Sequence, residues 1–201
     1  MGNEELISFL IKKDVLKTES LIEAFLKIDR ADFVPLKLQN MAYEDRPLPI
    51  GARQTISQPY TVAFMLELLK LKSQDRVLDF GSGSGWTTAL LASICKQVDA
   101  VERIESLVEL SRKNLLKYNF NNIVVHQAER KLGLDGEVFD KILVSCAADT
   151  IPKALIQQLK VGGIMVIPIA HSIFKITKTG EDTLQKQEYP GFVFVPLVTE
   201  L

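Results

Sequence analysis

The chain is 201 residues long, 47% hydrophobic and 24% charged, the composition of an ordinary globular protein, and one domain is expected over its whole length. Its 24 Lys and Arg against 25 Asp and Glu leave a formal charge of -1, so no global positive field exists to hold nucleic acid or an anionic membrane surface. Two cysteines, Cys95 and Cys146, and two histidines without the short paired spacings of zinc ligands exclude a disulfide framework and a zinc centre, and no metal is expected.

The first residues, MGNEELISFLIKKD, carry acids where a secretory signal has its basic region, and no apolar run approaches the length of a bilayer span. A cytoplasmic protein is expected. Residues 4–12 and 20–28 read as two amphipathic helices, the second with Ser20 as its cap and Leu21, Ala24, Phe25 and Ile28 on one face. From Arg30 to Pro59 runs a stretch with prolines at 35, 47, 49 and 59, too apolar for a plain linker, and loops of this length in compact domains are usually functional. The hydrophobic rhythm changes near Leu71, dividing residues 1–71, a helical and substrate-side region, from an α/β core at 72–201.

In that core RVLDF, QVDAVE, NIVVH, KILVSC and GIMVIPIA read as short apolar strands, with helices expected at 85–95, 104–118 and 152–159. This alternation predicts a doubly wound, mostly parallel sheet of Rossmann-like type. SIFKITKT and GFVFVPLV follow with only a polar link between them and are expected to pair antiparallel at one edge.

The sharpest local signal is Val77-Leu78-Asp79-Phe80-Gly81-Ser82-Gly83-Ser84-Gly85-Trp86, a buried strand running into glycines and then a helix. In an open α/β sheet this turn lies at the carboxyl end of a strand, where ligands approach backbone. A dinucleotide fingerprint wants a third glycine at the position held by Trp86, the bulkiest residue available, so a dinucleotide fits poorly. An acid two residues before the first glycine, followed by a strand ending in an acid, suits S-adenosylmethionine (AdoMet) instead. Asp79 would address its cationic amino-acid end, and Glu102, 21 residues after Gly81, its ribose hydroxyls.

The segment Ala42-Tyr43-Glu44-Asp45-Arg46-Pro47-Leu48-Pro49-Ile50-Gly51-Ala52-Arg53-Gln54-Thr55-Ile56-Ser57-Gln58-Pro59 closely resembles the signature of the protein-L-isoaspartate (D-aspartate) O-methyltransferase family. The resemblance continues through Arg30 with Phe33-Val34-Pro35, Val101-Glu102-Arg103, Phe139-Asp140, Gly162-Gly163 and Phe194-Val195-Pro196-Leu197. It implies methyl transfer from AdoMet, leaving S-adenosyl-L-homocysteine, to the free carboxylate of L-isoaspartyl and D-aspartyl residues in damaged proteins. The methyl ester then closes to a succinimide without the enzyme, and hydrolysis restores part of the chain.

Residue by residue, the resemblance implies a substrate site at Thr55, Ile56, Ser57 and Gln58 with Ser57 as the catalytic residue. It implies a cofactor site at Gln54, Thr55, Asp79, Gly81, Ser82, Gly83, Gly85, Glu102, Arg103, Ala128 and Glu129. Where the family usually has Gly-Asp-Gly beside the adenine, this chain has Gln127-Ala128-Glu129, so backbone amides or the Gln127 and Glu129 side chains would serve. Rival readings are a carboxyl methyltransferase for one dedicated peptide or small carboxylate, and a module that binds isoaspartyl or AdoMet without turnover. Partners would be isoaspartyl peptides and proteins, met by a monomer. The other chemistry-bearing residues carry no required role: His126 reads as a core or rim histidine at a strand end, His171 as a loop residue after a strand that could line the cleft, Cys146 as a small buried hydrophobe at a strand end facing the crevice, and Trp86 as core.

Overall fold

The computed structural model describes residues 2–128 and 131–197. Helix α1 (Asn3–Lys12) and helix α2 (Glu19–Lys27) lie where the apolar periodicity places them. The cap of α2 is Thr18 and not Ser20, which sits inside the first turn; the Thr18 hydroxyl donates to Glu67 at 2.7 Å, and the amides of Lys17 and Thr18 donate to the same carboxylate. A tertiary partner decides this helix start where local capping chemistry did not.

The proline-containing segment folds as two short 3-10 helices (Arg30–Phe33 and Leu36–Met41) and an antiparallel hairpin of β1 (Leu48–Gly51) and β2 (Gln54–Ile56). It leads into α3 (Pro59–Leu69), a helix the sequence reading did not distinguish. Its residues are buried nearly all round, packed against α1, α2 and the sheet, and without a polar face the 3.6-residue rhythm is faint.

The core sheet comprises β3 (Arg76–Phe80), β4 (Gln97–Glu102), β5 (Ile123–Gln127), β6 (Phe139–Val144), β7 (Leu159–Ile169), β8 (Ser172–Lys178) and β9 (Leu184–Pro190). Their order is β5-β4-β3-β6-β7-β8-β9, parallel through β7 and antiparallel thereafter. Side chains alternate between two apolar clusters. Val77, Val98, Leu143 and Val166 face the cluster shared with α1, α2, α3, α4 (Trp86–Ala92) and α5 (Glu105–Leu115). Leu78, Val101, Ile142 and Met165 face a second cluster closed by α6 (Lys153–Gln157), Leu132 and Leu134. Both faces are covered, as a parallel sheet requires.

The antiparallel edge differs from expectation in its last strand. The partner of β8 is the polar LQKQEYP of β9, whereas Gly191 to Val195 form no strand. An edge strand with both faces largely in water needs no apolar side, so β9 shows no alternating signal. The apolar residues after it are used elsewhere: the Phe192 ring stacks on Phe64 at 5.1 Å, and the chain runs back across the carboxyl ends of the strands, where Ala147 bridges Pro196. Among the described residues no helix is long and apolar enough to cross a membrane, and no cluster of His, Cys, Asp and Glu is placed to hold a metal.

Candidate active site

The strand order reverses at β3, whose neighbours β4 and β6 come from opposite directions of winding, and a crevice opens there at the carboxyl ends. Register sets its depth: Phe80 pairs with Val101 and Val144, so the glycine turn, Glu102 and Ser145 emerge at one level. The cleft encloses about 1050 Å³ with its open mouth included.

Three glycines shape the turn, all at positive φ, for distinct reasons. At Gly83 (φ +56°) a Cβ would come 3.3 Å from Ile50 Cδ1, a hairpin residue facing the turn across the cleft. At Gly81 (φ +81°) it would come 3.4 Å from Cys146 Sγ, the other wall. At Gly85 (φ +93°) it would lie 2.7 Å from Ser111 Oγ of α5. Gly85 thus packs closely between α4 and α5, where a side chain would meet Ser111.

Glu102 is buried in the cleft wall, accepting from the Gly83 amide at 3.0 Å and the Ile104 amide at 2.9 Å. Each carboxylate oxygen keeps a second lone pair for a hydroxyl ligand. Asp79 lies deeper. It is fully buried and absent from the lining, with one oxygen accepting from the Thr87 and Thr88 hydroxyls at 2.8 and 2.7 Å. Its other oxygen, Oδ1, has no hydrogen-bond partner among the described residues. Burial pushes its pKa up to about 6; the two threonine bonds oppose that rise, and the nearby Glu102 charge adds to it. Asp79 therefore lies beneath the turn and anchors the start of α4 through the two threonine hydroxyls.

On the facing side Gln54, Thr55, Ile56 and Ser57 line the cleft, as do Ser82, Arg103 and Ala128. Gln58, the residue before α3, is not in that lining: its side chain donates to Asp45 at 3.2 Å and accepts from the Thr61 hydroxyl at 3.2 Å. Glu129 lies outside the described residues.

Several lining residues were not among the expected site residues. Trp86 is core, edge-on to Phe25 at 5.7 Å, and also borders the cleft. Thr87, Ser145 and Cys146 line it too, with the Cys146 thiol pushed up to about 12 by burial and by Glu102, so no thiolate nucleophile exists there at neutral pH. Val195, Pro196 and Leu197 close one end, tied to Ala147 by amide bonds of 2.8 and 2.7 Å. The signal that could have found them is Pro196, since a proline within an apolar run argues against a paired strand. Neither histidine lines the cleft: His126 bonds Asp99 at 3.0 Å on the sheet face, and His171 is exposed in the β7–β8 turn.

Known proteins resemble this arrangement throughout. A sequence model of the family described as protein-L-isoaspartate(D-aspartate) O-methyltransferase (PCMT) matches residues 1–201. The chain is 42% identical to the protein-L-isoaspartate O-methyltransferase of Petrotoga mobilis, across 97% of this chain and 94% of that one. It is 43% identical to that of Ignicoccus hospitalis, across 98% and 97%. In fold it superposes on a Plasmodium falciparum protein assigned as a protein-L-isoaspartate O-methyltransferase and solved with S-adenosyl-L-homocysteine, with a TM-score of 0.88, 24% identity and full coverage of both chains. With a family match over every residue and relatives above 40% identity along nearly the whole length, this chain belongs to the protein-L-isoaspartate(D-aspartate) O-methyltransferase family.

Proposed function

We propose that the protein transfers the methyl group of AdoMet to the free carboxylate of L-isoaspartyl and D-aspartyl residues in damaged proteins, and so initiates their repair. The observation that carries this reading is that one cleft unites the glycine turn and Glu102 with Thr55, Ile56 and Ser57 on the facing hairpin. A methyl donor and a carboxylate acceptor would meet between those walls.

The residues present fit AdoMet. Glu102 has free lone pairs for ribose hydroxyls, and Asp79 with Glu102 gives the cleft floor the negative charge that suits a ligand carrying an ammonium and a sulfonium. Ser82 Oγ, buried at the turn and without a hydrogen-bond partner among the described residues, is a further polar group that would meet the ligand. Ala128 supplies lining where adenine would rest, its amide already donating to the Glu102 carbonyl at 2.8 Å. Bound there, AdoMet supplies an electrophilic methyl group.

The acceptor needs no general base, because a carboxylate of pKa about 3.9 is already ionised at neutral pH. The absence of any histidine from the described cleft lining is consistent with this. What the chain supplies is placement: Ser57 and neighbouring backbone amides hold the carboxylate oxygen in line with the methyl carbon and sulfur. Such proximity accounts for roughly 7–11 kcal/mol of barrier in favourable systems. Ser57 orients and does not become a nucleophile. We read residues 1–201 as one domain acting as a monomer in the cytoplasm, without nucleic-acid partners.

Labelled methyl transfer to paired isoaspartyl and aspartyl peptides, followed by base-labile methanol release, tests the reading. Preference for the isoaspartyl peptide is expected. Preference for the normal aspartyl peptide would replace it with a dedicated carboxyl methyltransferase, and binding without transfer would make the protein a recognition module.

A further inference from the structure

Arg30 opens the first 3-10 helix and is fully buried, although a buried guanidinium is costly unless its donors are satisfied. Its donors go to backbone carbonyls from two segments. Nη1 donates to Ala42 at 2.6 Å and more weakly to Glu44 at 3.4 Å, and Nη2 donates to Arg46 and to Ser57, both at 3.0 Å. Nε has no partner. The guanidinium also lies over the Trp86 ring, 5.2 Å from its centroid, and Trp86 lines the cleft. Burial lowers the Arg30 pKa to about 10, the opposing pull of Asp45 notwithstanding, so the cation persists at neutral pH.

The 42–46 turn grips the Ser57 region from a second side. Asp45 accepts from the Gln58 side chain at 3.2 Å and from the Tyr60 amide at 2.8 Å, fixing the start of α3 immediately after Ser57. Ser57 thus sits between an arginine that holds its carbonyl and a carboxylate that holds the next turn. With the carbonyl bound behind it, rotation of Ser57 about its backbone is restrained, and its position on the cleft wall is set.

We propose that Arg30 is a positioning residue for methyl transfer: its fork fixes the Ser57 carbonyl to the 42–46 turn, and its stacking on Trp86 holds that loop against the wall of the glycine turn. The proposal rests on the reading of Ser57 as the residue that orients the acceptor carboxylate. Lysine cannot replace it, because a point ammonium with three donors does not reproduce a planar fork that bonds several carbonyls and stacks on an indole.

The test compares Arg30→Lys and Arg30→Gln with Ser57→Ala and with the double variants. S-adenosyl-L-homocysteine affinity is measured by calorimetry, kcat and KM on an isoaspartyl peptide, and each variant that binds S-adenosyl-L-homocysteine is read. Expected is affinity within about threefold of wild type, with kcat/KM lowered at least about tenfold, more through kcat than KM. The double variants should fall no more than about threefold below the worse single one, because both changes disable one grip. Wild-type kcat/KM in the Arg30 variants, or effects that multiply, would overturn the proposal. So would loss of S-adenosyl-L-homocysteine binding in both Arg30 variants, which would make Arg30 a support of the whole fold. A wild-type protein inactive on isoaspartyl peptide, or a fully active Ser57→Ala, would instead overturn the reading beneath it and the proposal with it.

Discussion

The Glu102 carboxylate accepts the amide hydrogen of Gly83 at 3.0 Å, which ties the end of β4 to the middle of the glycine turn that follows β3. One side chain thereby shapes the turn and keeps acceptor lone pairs on the cleft wall. Both jobs need the residue at the carboxyl end of the neighbouring parallel strand, where the register places it.

Glu102→Ala should weaken AdoMet binding by roughly 1–3 kcal/mol, the range for losing hydrogen bonds to a charged acceptor, with a further loss from the freed Gly83 and Ile104 amides. Glu102→Gln keeps one acceptor and should fall between. Calorimetry showing unchanged affinity for Glu102→Ala would remove Glu102 from the ribose site.

Gly83→Val places a branched side chain at φ +56° and drives it toward Ile50, across the space where a ligand would enter. Cofactor binding should be abolished while the far-ultraviolet circular dichroism stays native. Gly85→Ala should act differently: its Cβ meets Ser111, so melting temperature should drop by several degrees, on the order of 1–3 kcal/mol for a buried steric conflict. Similar behaviour of the two variants would contradict the separation of a cleft glycine from a packing glycine.

Asp79 carries a sign that can be tested. Its pKa is raised in the folded protein to about 6, so between the unfolded value near 3.8 and about 6 the folded state holds a proton that the unfolded chain has lost. Stability from this group is therefore present at low pH and is lost as pH rises through that window, by about 3 kcal/mol at most. Asp79→Asn should remove this slope and, at pH 7, weaken AdoMet binding by removing the charge beneath the turn. Urea melts of the ligand-free protein at pH 4.5 and 7 check the first outcome; an identical pH dependence in the two proteins would show that Asp79 does not titrate there.

Ser57→Ala should lower turnover about ten- to a thousandfold, roughly 1.4–4 kcal/mol of transition-state positioning, while leaving AdoMet affinity nearly unchanged. Rapid mixing should reveal no methylated or acylated enzyme. An accumulating covalent intermediate would make Ser57 a nucleophile, and undiminished turnover would make it structural.

The sequence by itself determined the parallel core, the strand–glycine–helix passage through Gly81 and Gly83, and Glu102 at the end of the next strand. These features are written in contiguous residues: an apolar run, a turn that tolerates positive φ, an acid at a set distance. Only the tertiary structure decided that Asp79 is fully buried beneath the turn, that Gly85 packs against Ser111, that the Gln58 side chain bonds Asp45 and Thr61, and that Arg30 reaches Ser57 27 residues away. It also decided that LQKQEYP forms the edge strand while residues 195–197 border the site. The reason is that periodicity reports how a segment divides its surface between water and core. An edge strand wet on both faces and a helix buried all round have no such division, and which carbonyl a buried arginine meets depends on segments that become neighbours only in the folded chain.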